Sequence, residues 1–477
     1  MKIMLIALNS QYIHSNPALF CLERVERAAS CMVKTYQWSI NMSELTIMAE
    51  IEREKPDILA FSLYIWNIVF AAGLLRDLRL LLPDTLIVAG GPEPSGHPQQ
   101  ILAQIPELDA LFLGEGEESW PLFFRAVTDL DDSTAGCGSL RQRFMGDGAA
   151  YAPIPGLLLR SGGKIAAAPQ VDLARQPFLY SPEDLARLAR EKRVIYYESS
   201  RGCPYCCSFC ASATESLRER PLELVLEELP LLAATGGQVK FIDRTFNARP
   251  QRAIAITEKI LSLYRPGLSW HFELAPAACS GALADLLGQS PPGYFHLEAG
   301  VQTLYPPSLK AVGRNVDWPQ AEPVLQKFAA GPCRLHVDLI AGLPYETPQS
   351  FSLAFQALHR LNADYLQLGF LKILPGSLLA QEAAAYGLVY SPRPPYQILY
   401  TPEMSSGYLF GLHRAERALN AFYNKGPYRS LLMEKGETWP GGALAMYFAL
   451  AEGLKKYPSG LSEKTAAVII NECFGNS

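Results

Sequence analysis

Two series of short apolar runs, separated by segments with helical spacing, constrain the fold of this 477-residue chain more than any other feature. The first series comprises residues 2–9, 57–63, 85–89 and 109–113; the second comprises 194–198, 238–242, 270–274, 293–298, 334–340 and 364–371. Such alternation implies parallel sheets covered by helices. We therefore predict an α/β protein, with a doubly wound parallel sheet followed by an open, partial (β/α)6 barrel.

The two series divide the chain into predicted domains. The doubly wound domain spans 1–135 and the partial barrel spans 191–392. Between them, 136–190 form a linker with a hairpin about the Gly162-Gly163 turn. Residues 393–477 form a mostly helical region, either a cap on the barrel or a lid over a substrate. One apolar helical face is formed there by Tyr408, Leu412, Ala415, Leu419 and Phe422.

Bulk composition excludes several classes of protein. A net charge of −5 gives no indication of a basic surface that would bind nucleic acid. Ten cysteines, four of them within 203–210, do not form the framework of a secreted disulfide-rich protein, so we expect a reducing compartment. The apolar start is too short for a signal peptide, and polar residues interrupt the uncharged stretch 58–75. We therefore expect a soluble, cytoplasmic protein without a membrane partner.

A cysteine triplet follows the first strand of the second series. Cys203, Cys207 and Cys210 could bind three irons of a cubane [4Fe–4S] cluster and leave the fourth iron open. A zinc knuckle is the alternative, but it needs a fourth ligand and no histidine lies nearby. Cys206 makes a second pairing with Cys203, of the CxxC type used by zinc sites and redox dithiols. It lies outside the triplet spacing, and we assign it no role.

Small and polar residues follow the strands of both series. In the first domain they occupy 9–10, 62–64, 90–93 and 114–117, where a large planar ligand could approach the backbone. At the barrel strand ends the residues are ionisable: Glu198, Asp243, Glu273, Glu298, Asp338 and Lys372. Packing does not require such a ring, which favours a polar ligand at that mouth.

With these motifs in this order, the chain resembles the radical SAM proteins that carry an N-terminal cobalamin-binding domain, and within them an uncharacterised subfamily with a C-terminal helical extension. The resemblance spans essentially the whole chain. It depends on the cysteine triplet and on the motifs at 90–93, 109–117, 241–247, 297–302, 338–344 and 374–376.

The resemblance implies three cofactors and their ligands. Cys203, Cys207 and Cys210 would bind a [4Fe–4S] cluster. The residues implied for S-adenosylmethionine (SAM) are Phe209, Asp243, Asn247, Glu298, Gln302, Gly342, Pro344 and Pro375. The residues implied for cobalamin are Asn9, Ser10, Ser62, Leu63, Gly90, Gly91, Glu93, Gly114, Glu115, Gly116 and Glu117.

One motif of many cobalamin domains is missing. Their lower axial histidine lies in Asp-x-His-x-x-Gly, whereas here His14 stands in a sequence with Tyr12 and Pro17 at the motif's other positions. We interpret His14 as a surface or capping residue. A bound corrinoid would then lack an imidazole ligand from the protein.

The resemblance also implies an activity. The protein would be an enzyme that cleaves SAM to a 5′-deoxyadenosyl radical and uses cobalamin to methylate an unactivated carbon or phosphorus centre. Its partners would be a small-molecule or natural-product substrate and an electron donor such as flavodoxin or ferredoxin. No motif identifies the substrate or a catalytic residue.

Three other functions remain to be weighed. A cyclisation, rearrangement or oxidation without methyl transfer is the main alternative. A non-enzymatic cluster or corrinoid sensor would need an output module, and none is apparent. A methylthiotransferase would need a second cysteine triad, for which Cys21, Cys31 and Cys137 are too dispersed.

Overall fold

The computed structural model describes residues 1–26, 32–133, 138–146, 154–162, 166–213, 215–457 and 461–475. The chain divides into two compact units, Met1–Tyr197 and Glu198–Ser477. The predicted linker, 136–190, lies within the first unit. Among the described helices, none combines the length and the apolar character needed to cross a membrane.

The first unit is built on one six-stranded sheet with the order β2–β1–β3–β4–β5–β6. Its strands are β1 (Lys2–Asn9), β2 (Met32–Ser39), β3 (Ile58–Ser62), β4 (Leu86–Gly90), β5 (Ala110–Phe112) and β6 (Leu157–Leu159). The first five are parallel, which confirms the predicted doubly wound sheet. Strand β2 was not predicted, because it is a half-buried edge strand whose polar residues interrupt the apolar pattern.

Helices cover both faces of this sheet. They are α1 (Pro17–Glu26), α2 (Glu44–Glu54), α3 (Ile68–Leu81), α4 (Pro92–Gly96), α5 (Pro98–Gln104), α6 (Gly116–Ser133), α7 (Leu140–Gly146) and α8 (Pro182–Arg190). Successive residues of β1 enter different cores: Met4 packs with Ile47 and Leu74, whereas Leu5 packs with Trp120. Because both faces are buried, the strand is an uninterrupted apolar run rather than an alternating one.

The predicted hairpin about Gly162-Gly163 is only partly described. Strand β6 pairs antiparallel with β5, with Leu158 opposite Leu111. Residues 163–165 lie outside the described residues, so the returning half of the hairpin stays a prediction. The segment before the turn thus extends the first sheet.

The second series of apolar runs also forms strands. They are β7 (Ile195–Tyr197), β8 (Ser200–Arg201), β9 (Arg218–Glu219), β10 (Gln238–Phe241), β11 (Ser269–Leu274), β12 (Phe295–Gln302), β13 (Arg334–Ala341), β14 (Tyr365–Phe370), β15 (Val389–Tyr390) and β16 (Ile398–Tyr400). Strands β10 to β14 lie side by side in chain order and are parallel. This order confirms the partial barrel.

Burial alternates along the central barrel strands. On β11, Trp270 and Phe272 are fully buried, whereas His271 and Glu273 are only partly buried on the opposite face. The same alternation continues on β12, where Glu298 and Gln302 share a face. One face of the sheet therefore packs on helices and the other is polar, which puts the ionisable side chains together.

Helices connect the barrel strands and form most of the C-terminal region. They are α9 (Leu222–Ala233), α10 (Pro250–Ser262), α11 (Gly281–Gly288), α12 (Pro306–Ala311), α13 (Trp318–Ala330), α14 (Pro348–Arg360), α15 (Leu378–Glu382), α16 (Ser406–Ala418), α17 (Arg429–Thr438), α18 (Gly442–Leu454) and α19 (Glu463–Phe474). Short 3₁₀ helices occur at Phe246–Ala248 and Pro276–Ala278, and a π-helix continues α16 over Leu419–Asn424.

The C-terminal helices cover the edge of the barrel sheet. The predicted apolar face is confirmed, since Leu412, Ala415, Leu419 and Phe422 are buried. From the π-helix, the Asn424 amide accepts from the Leu366 nitrogen and donates to the Leu366 oxygen, both at 3.0 Å. One side chain thereby occupies a ladder position on strand β14 and blocks pairing with a further strand.

Candidate functional site

The four clustered cysteines lie on a loop that follows β8. Cys207 is buried, Cys203 and Cys210 are half-buried, and Cys206 is exposed. A turn joins the triplet, in which the Cys210 nitrogen donates to the Cys207 oxygen at 2.9 Å. Phe209, between them, is half-buried. The exposure of Cys206 agrees with its exclusion from the triplet.

Backbone contacts fix this loop. Gly202 has φ +83°, and a Cβ there would lie 2.3 Å from the Ser216 oxygen, so only glycine fits. The Ser208 nitrogen donates to the Val312 oxygen at 2.9 Å, and the Ser208 oxygen accepts from the Leu379 nitrogen at 2.8 Å. The cysteines are therefore presented by a loop held to two other segments of the barrel.

Arg314 connects the cysteine loop with strand β12. Its guanidinium donates from Nη1 to Cys207 Sγ at 3.3 Å and from Nη2 to the Gly300 oxygen. Burial raises the pKa of the Cys207 thiol, and the Arg314 cation opposes that rise. No sequence pattern pointed to Arg314, since a lone arginine after a helix has no motif of its own.

A charged network occupies the polar face of the barrel. Glu298 Oε2 accepts from His271 Nε2 at 2.8 Å and from Lys240 Nζ at 3.2 Å. Burial opposes its charge, but these two partners outweigh burial and lower the pKa of Glu298 to about 2. Burial lowers the pKa of His271, so we assign it as a neutral imidazole that donates its Nε2 proton.

Two further carboxylates flank Glu298. On β11, Glu273 faces Lys240 at 3.8 Å, and burial together with the Glu298 charge raises the pKa of Glu273 to about 7. On β13, Asp338 Oδ1 lies 2.8 Å from His336 Nε2 without the alignment of a hydrogen bond, and both atoms are buried without another partner. Burial raises the pKa of Asp338.

Among the described residues, one group of three side chains brings possible metal ligands within 4.8 Å of one another: Glu298, His336 and Asp338. The ammonium of Lys240 already neutralises Glu298, which disfavours a metal cation at that carboxylate. The oxygen atoms of Glu298 and Asp338 can accept hydrogen bonds from the hydroxyl and ammonium groups of an organic ligand as well as they could bind a metal ion.

The carboxyl ends of β12 and β13 carry unusual backbone geometry. Gln302 has φ +72° and follows an irregularity in the β12–β13 register, and its buried Oε1 has no hydrogen-bond partner within the described part of the chain. Gly342 has φ +88°, and a Cβ there would meet Ile398 Cγ2 at 2.8 Å. Non-glycine residues with positive φ concentrate at functional sites.

Two predicted ligands are engaged within the protein. Asp243 is 2% exposed and accepts from the Ser199 nitrogen and hydroxyl and from the Ser200 hydroxyl. Burial raises the pKa of Asp243 to about 6. The Asn247 amide bonds the backbone nitrogen and oxygen of Ala275. Both side chains shape the turns after β7 and β11, and their role toward SAM stays a prediction.

The remaining predicted SAM residues lie in turns of the same unit. The Pro344 oxygen accepts from Ser308 Oγ at 2.7 Å, and Pro375 is half-buried just before Gly376, which has φ +81°. Lys372, expected in the ring of strand-end charges, is exposed instead. Glu198 pairs with Arg201 at 2.7 Å.

The donor set fits the implied cluster and SAM. Three thiols on one fixed loop suit three irons of a cubane cluster. Arg314 connects that loop with Gly300, and a Cβ at Gly300 would meet the end of the Gln302 side chain, Nε2, at 2.5 Å. Among the described residues, Gln302 Oε1 on β12 has no hydrogen-bond partner, and Asp338 Oδ1 on β13 contacts His336 Nε2. They can accept hydrogen bonds that a bound SAM would supply.

In the first unit, the predicted cobalamin residues lie along the carboxyl edge of the sheet. Gly91 has φ +119°, and a Cβ there would lie 2.4 Å from the Leu63 oxygen. Asn67 Nδ2 donates to the Leu8 and Ser62 oxygens, and Asn16 Nδ2 donates to Ser62 Oγ. Asparagine side chains thus hold the loops after β1 and β3 together.

Neighbouring predicted residues take part in local contacts. Gly90 ends β4, Glu93 is buried in α4, and Gly116 and Glu117 begin α6. The Asn9 amide donates to the His14 oxygen, and the Ser10 oxygen accepts from Asn41. The Gly114 nitrogen donates to Ser95 Oγ, and Glu115 accepts from the Val171 nitrogen at 2.6 Å.

Exposed aromatic rings mark the same edge. Tyr64 and Trp66 stack with centroids 4.2 Å apart, and Trp66 is 46% exposed. Tyr12 and Ile13, in the loop after β1, are 58% and 45% exposed. Glycine turns beside an apolar surface fit a broad ring such as a corrin. These aromatic residues were not predicted, since the exposure of isolated loop residues cannot be read from the sequence.

His14 lies in the loop after β1. Its Nδ1 is 2.6 Å from the Tyr196 hydroxyl, and its backbone oxygen accepts from Asn9 Nδ2 and from Arg193 Nη1. Burial raises the pKa of Tyr196 to about 12, so the phenol stays protonated. The contact with Tyr196 orients the ring through Nδ1, and the interpretation of His14 as a surface or capping residue stays a prediction.

Three known families match successive parts of the chain. Residues 3–123 match the B12 binding domain, residues 197–358 match the radical SAM superfamily, and residues 384–457 match a family described as a protein of unknown function (DUF4080).

Curated relatives align with most of this chain. The chain is 28% identical over 382 residues to the cobalamin-dependent radical SAM methyltransferase TokK of Streptomyces tokunonensis. It is 27% identical over 381 residues to a 2-(S-pantetheinyl)-carbapenam-3-carboxylate methyltransferase of Streptantibioticus cattleyicolor. Each alignment covers 72% of this chain and 51% of the relative, so the chain spans about half the length of these proteins.

A solved structure shares the fold. The radical S-adenosylmethionine methyltransferase TsrM from Kitasatospora setae, with cobalamin and a [4Fe–4S] cluster bound, superposes with a TM-score of 0.66 at 16% identity. The superposition covers 100% of this chain and 99% of TsrM. By its two domain matches, the chain belongs to the proteins that join an N-terminal B12 binding domain to a radical SAM domain, and the superposition shows the shared fold.

Proposed function

We propose that this protein is a cobalamin-dependent radical SAM methyltransferase that acts on an unactivated carbon or phosphorus centre of a small molecule. When bound, the cluster supplies the electron that cleaves SAM to methionine and a 5′-deoxyadenosyl radical, and cobalamin supplies a methyl carrier. Cys203, Cys207 and Cys210 hold the cluster in this proposal. For this protein we propose four successive regions with the limits 1–135, 136–190, 191–392 and 393–477.

The observation that carries the proposal is the bridge made by Arg314. One guanidinium contacts the thiol of Cys207 and the carbonyl of Gly300, so the cysteine loop adjoins the polar face of the barrel. A zinc knuckle would not require such a neighbour. A ligand at this place would meet a cluster on one side and a row of carboxylates on the other.

The residues of this face can orient SAM. Among the described residues, Gln302 Oε1 is an acceptor without a hydrogen-bond partner. Asp338 Oδ1 contacts His336, and Glu273 lies 3.8 Å from Lys240 on the same surface. Glu298 stays ionised because Lys240 and His271 hold it. Carboxylates at fixed positions attract the ammonium and hydroxyl groups of SAM. The protein thereby aims the reacting carbon and excludes competing reactions.

Methyl transfer and the small-molecule substrate are supported by the relatives. The two curated proteins above are methyltransferases, and a further TsrM structure contains tryptophan as substrate. In our proposal the exposed aromatic edge of the first unit binds the corrinoid, and His14 does not ligate cobalt. A flavodoxin or ferredoxin supplies electrons, and the protein works in the cytoplasm without a nucleic-acid or membrane partner.

The test is an anaerobic incubation of reconstituted protein with reductant, cobalamin, methyl-labelled SAM and panels of candidate metabolites. We expect 5′-deoxyadenosine and S-adenosylhomocysteine to form in step with a labelled product. A Cys207→Ala variant is the control and should form none of them. Substrate-dependent 5′-deoxyadenosine without S-adenosylhomocysteine would contradict methyl transfer and indicate rearrangement or oxidation.

A further inference from the structure

A cleft in the first unit takes no part in the steps described above. It has a volume of about 200 Å³ and separates the edge strand β2 from helix α8. Residues 35–38 of β2 form one wall, and the other wall is formed by Arg187, Leu188, Glu191 and Arg193. The predicted cobalamin residues and the cysteine loop do not line it, so the cleft is separate from both sites.

Strand β2 directs the main-chain groups of its odd-numbered residues toward this cleft. The nitrogens of Met32 and Ile40 donate to oxygens of the neighbouring segment 1–9, so the even-numbered residues bond to β1. The register between the two strands is unbroken, and in a parallel pair the N–H and C=O of one residue point to the same side. The main-chain groups of Thr35 and Gln37 therefore point away from β1, toward the free edge.

These outward groups are available for pairing. Among the described residues, no backbone bond reaches the nitrogen or oxygen of Thr35 or Gln37 from the cleft side. The Thr35 hydroxyl is buried and also has no partner within the described part of the chain, a state that costs about 1–3 kcal/mol. Edge strands are commonly very short or interrupted by a bulge, whereas β2 is eight residues long and regular.

The charges that line the cleft are paired within the protein. Arg187 contacts Asp184 at 3.0 Å, and Arg193 contacts Glu191 at 2.8 Å. Because each cation is already neutralised, the cleft does not favour a small anion. What it offers is a row of main-chain donors and acceptors in a strand, which are the groups that pair with a second extended main chain.

We propose that this cleft binds an extended peptide segment of another protein, which adds to the first sheet as a further strand beside β2. The main-chain groups of Thr35 and Gln37 bond to the main chain of the peptide, and the Thr35 hydroxyl gains a partner. Because α8 forms the opposite wall, the cleft admits a single extended segment rather than the edge of a second folded sheet. Binding here does not require the cofactors of the proposed function.

The test is a selection of random hexapeptides on the full-length protein, followed by fluorescence anisotropy of the enriched peptides. Thr35→Pro removes the outward N–H without breaking a bond to β1, and should weaken binding by about tenfold, the loss of one hydrogen bond. Val33→Pro is the matched control, because Val33 shares this outward orientation but does not line the cleft. It should bind within about threefold of wild type.

A second pair of variants fills the cleft instead of removing a donor. Arg187→Trp places a bulky ring at the wall opposite β2 and should abolish binding. Arg190→Trp carries the same ring at an exposed position of α8 and should bind like wild type. Methylation of the central main-chain nitrogens of an enriched peptide should weaken its binding by at least tenfold, although all side chains are kept.

The outcomes decide as follows. If no hexapeptide prefers the wild type over Arg187→Trp, the cleft does not bind a peptide. Peptides that keep their affinity after methylation and for Thr35→Pro would show docking through side chains and would also overturn the added strand. Should circular dichroism show that Thr35→Pro does not fold, the methylated peptides and the two tryptophan variants decide alone.

Discussion

Arg314 donates a hydrogen bond to Cys207 across 107 positions of sequence, at 3.3 Å from Nη1 to Sγ. The same guanidinium donates to the Gly300 carbonyl. A permanent cation thus lies against a thiol of the triplet and is anchored to a strand of the barrel. Hydrogen bonds and charge at the ligand sulfur are among the factors that set the reduction potential of a cluster.

Replacing Arg314 with Met should therefore lower the midpoint potential of the bound cluster. Reduction adds negative charge, which the guanidinium stabilises, so its loss makes reduction harder. We expect a shift on the order of 50 mV, about a tenfold change in the equilibrium for one electron. Redox titration followed by electron paramagnetic resonance measures it, with Arg249→Gln as the control at a largely exposed arginine. Equal potentials would show that the bond does not persist in the holoprotein.

The assignment of the three cluster ligands can be tested by alanine substitutions, with Cys206 as the control. Replacing Cys203, Cys207 or Cys210 with Ala should abolish a stable [4Fe–4S] cluster, because a cubane held by two thiolates loses iron readily. The Cys206→Ala protein should retain about one cluster per chain, since Cys206 is exposed. Iron and sulfide analysis after anaerobic reconstitution decides. An intact cluster in Cys207→Ala would overturn the assignment of ligands.

Gly91→Ala should disrupt corrinoid binding in the first unit. The new Cβ would approach the Leu63 oxygen to 2.4 Å at a φ of +119°, so the turn after β4 must move. Gly73→Ala is the matched control, because its Cβ meets only Glu44 Oε1 at 3.8 Å and alanine favours helix α3 by about 1 kcal/mol. Absorbance titration with hydroxocobalamin should show weaker binding only in Gly91→Ala. Equal affinities would remove this turn from the site.

His14→Ala should leave the cobalt environment unchanged. The expectation depends on the absent axial motif, because the contact of His14 Nδ1 with the Tyr196 hydroxyl at 2.6 Å does not involve Nε2. Electron paramagnetic resonance of the Co(II) form should show no nitrogen superhyperfine splitting from the protein in either wild type or variant. A splitting present in the wild type and lost in His14→Ala would show that the ring ligates cobalt.

The lowered pKa of Glu298 predicts that the stability of the protein depends on pH. Its folded pKa, about 2, lies below the ordinary value of 4.5, so its contribution is present above pH 4.5 and is lost as the pH falls toward 2. Wild type should exceed Glu298→Gln by about 1–3 kcal/mol in the free energy of unfolding at pH 7. Urea unfolding at pH 7, 4 and 3 should show the gap narrowing. A gap that is constant with pH would mean that Lys240 and His271 do not stabilise the charged form.

The order of the strands and helices could be predicted because each buried strand has a local apolar pattern in the sequence. Strands buried on both faces, such as β1 and β3, are continuous apolar runs, and each predicted barrel strand was found within a few residues of its expected limits. Strand β2 has no such apolar pattern, since an edge strand with half-buried residues needs no continuous apolar run.

The cysteine spacing, the glycine turns and the succession of strands and helices could be read from the sequence, because neighbouring residues set each of them. Tertiary packing was needed to show that Arg314 contacts Cys207, that Asp243 accepts from Ser199 and Ser200, and that Glu346 lies buried beside Thr303. These relationships join residues 40 or more positions apart. Their chemistry depends on burial and on the proximity of other charges, which the packing of the barrel strands and their connecting turns creates.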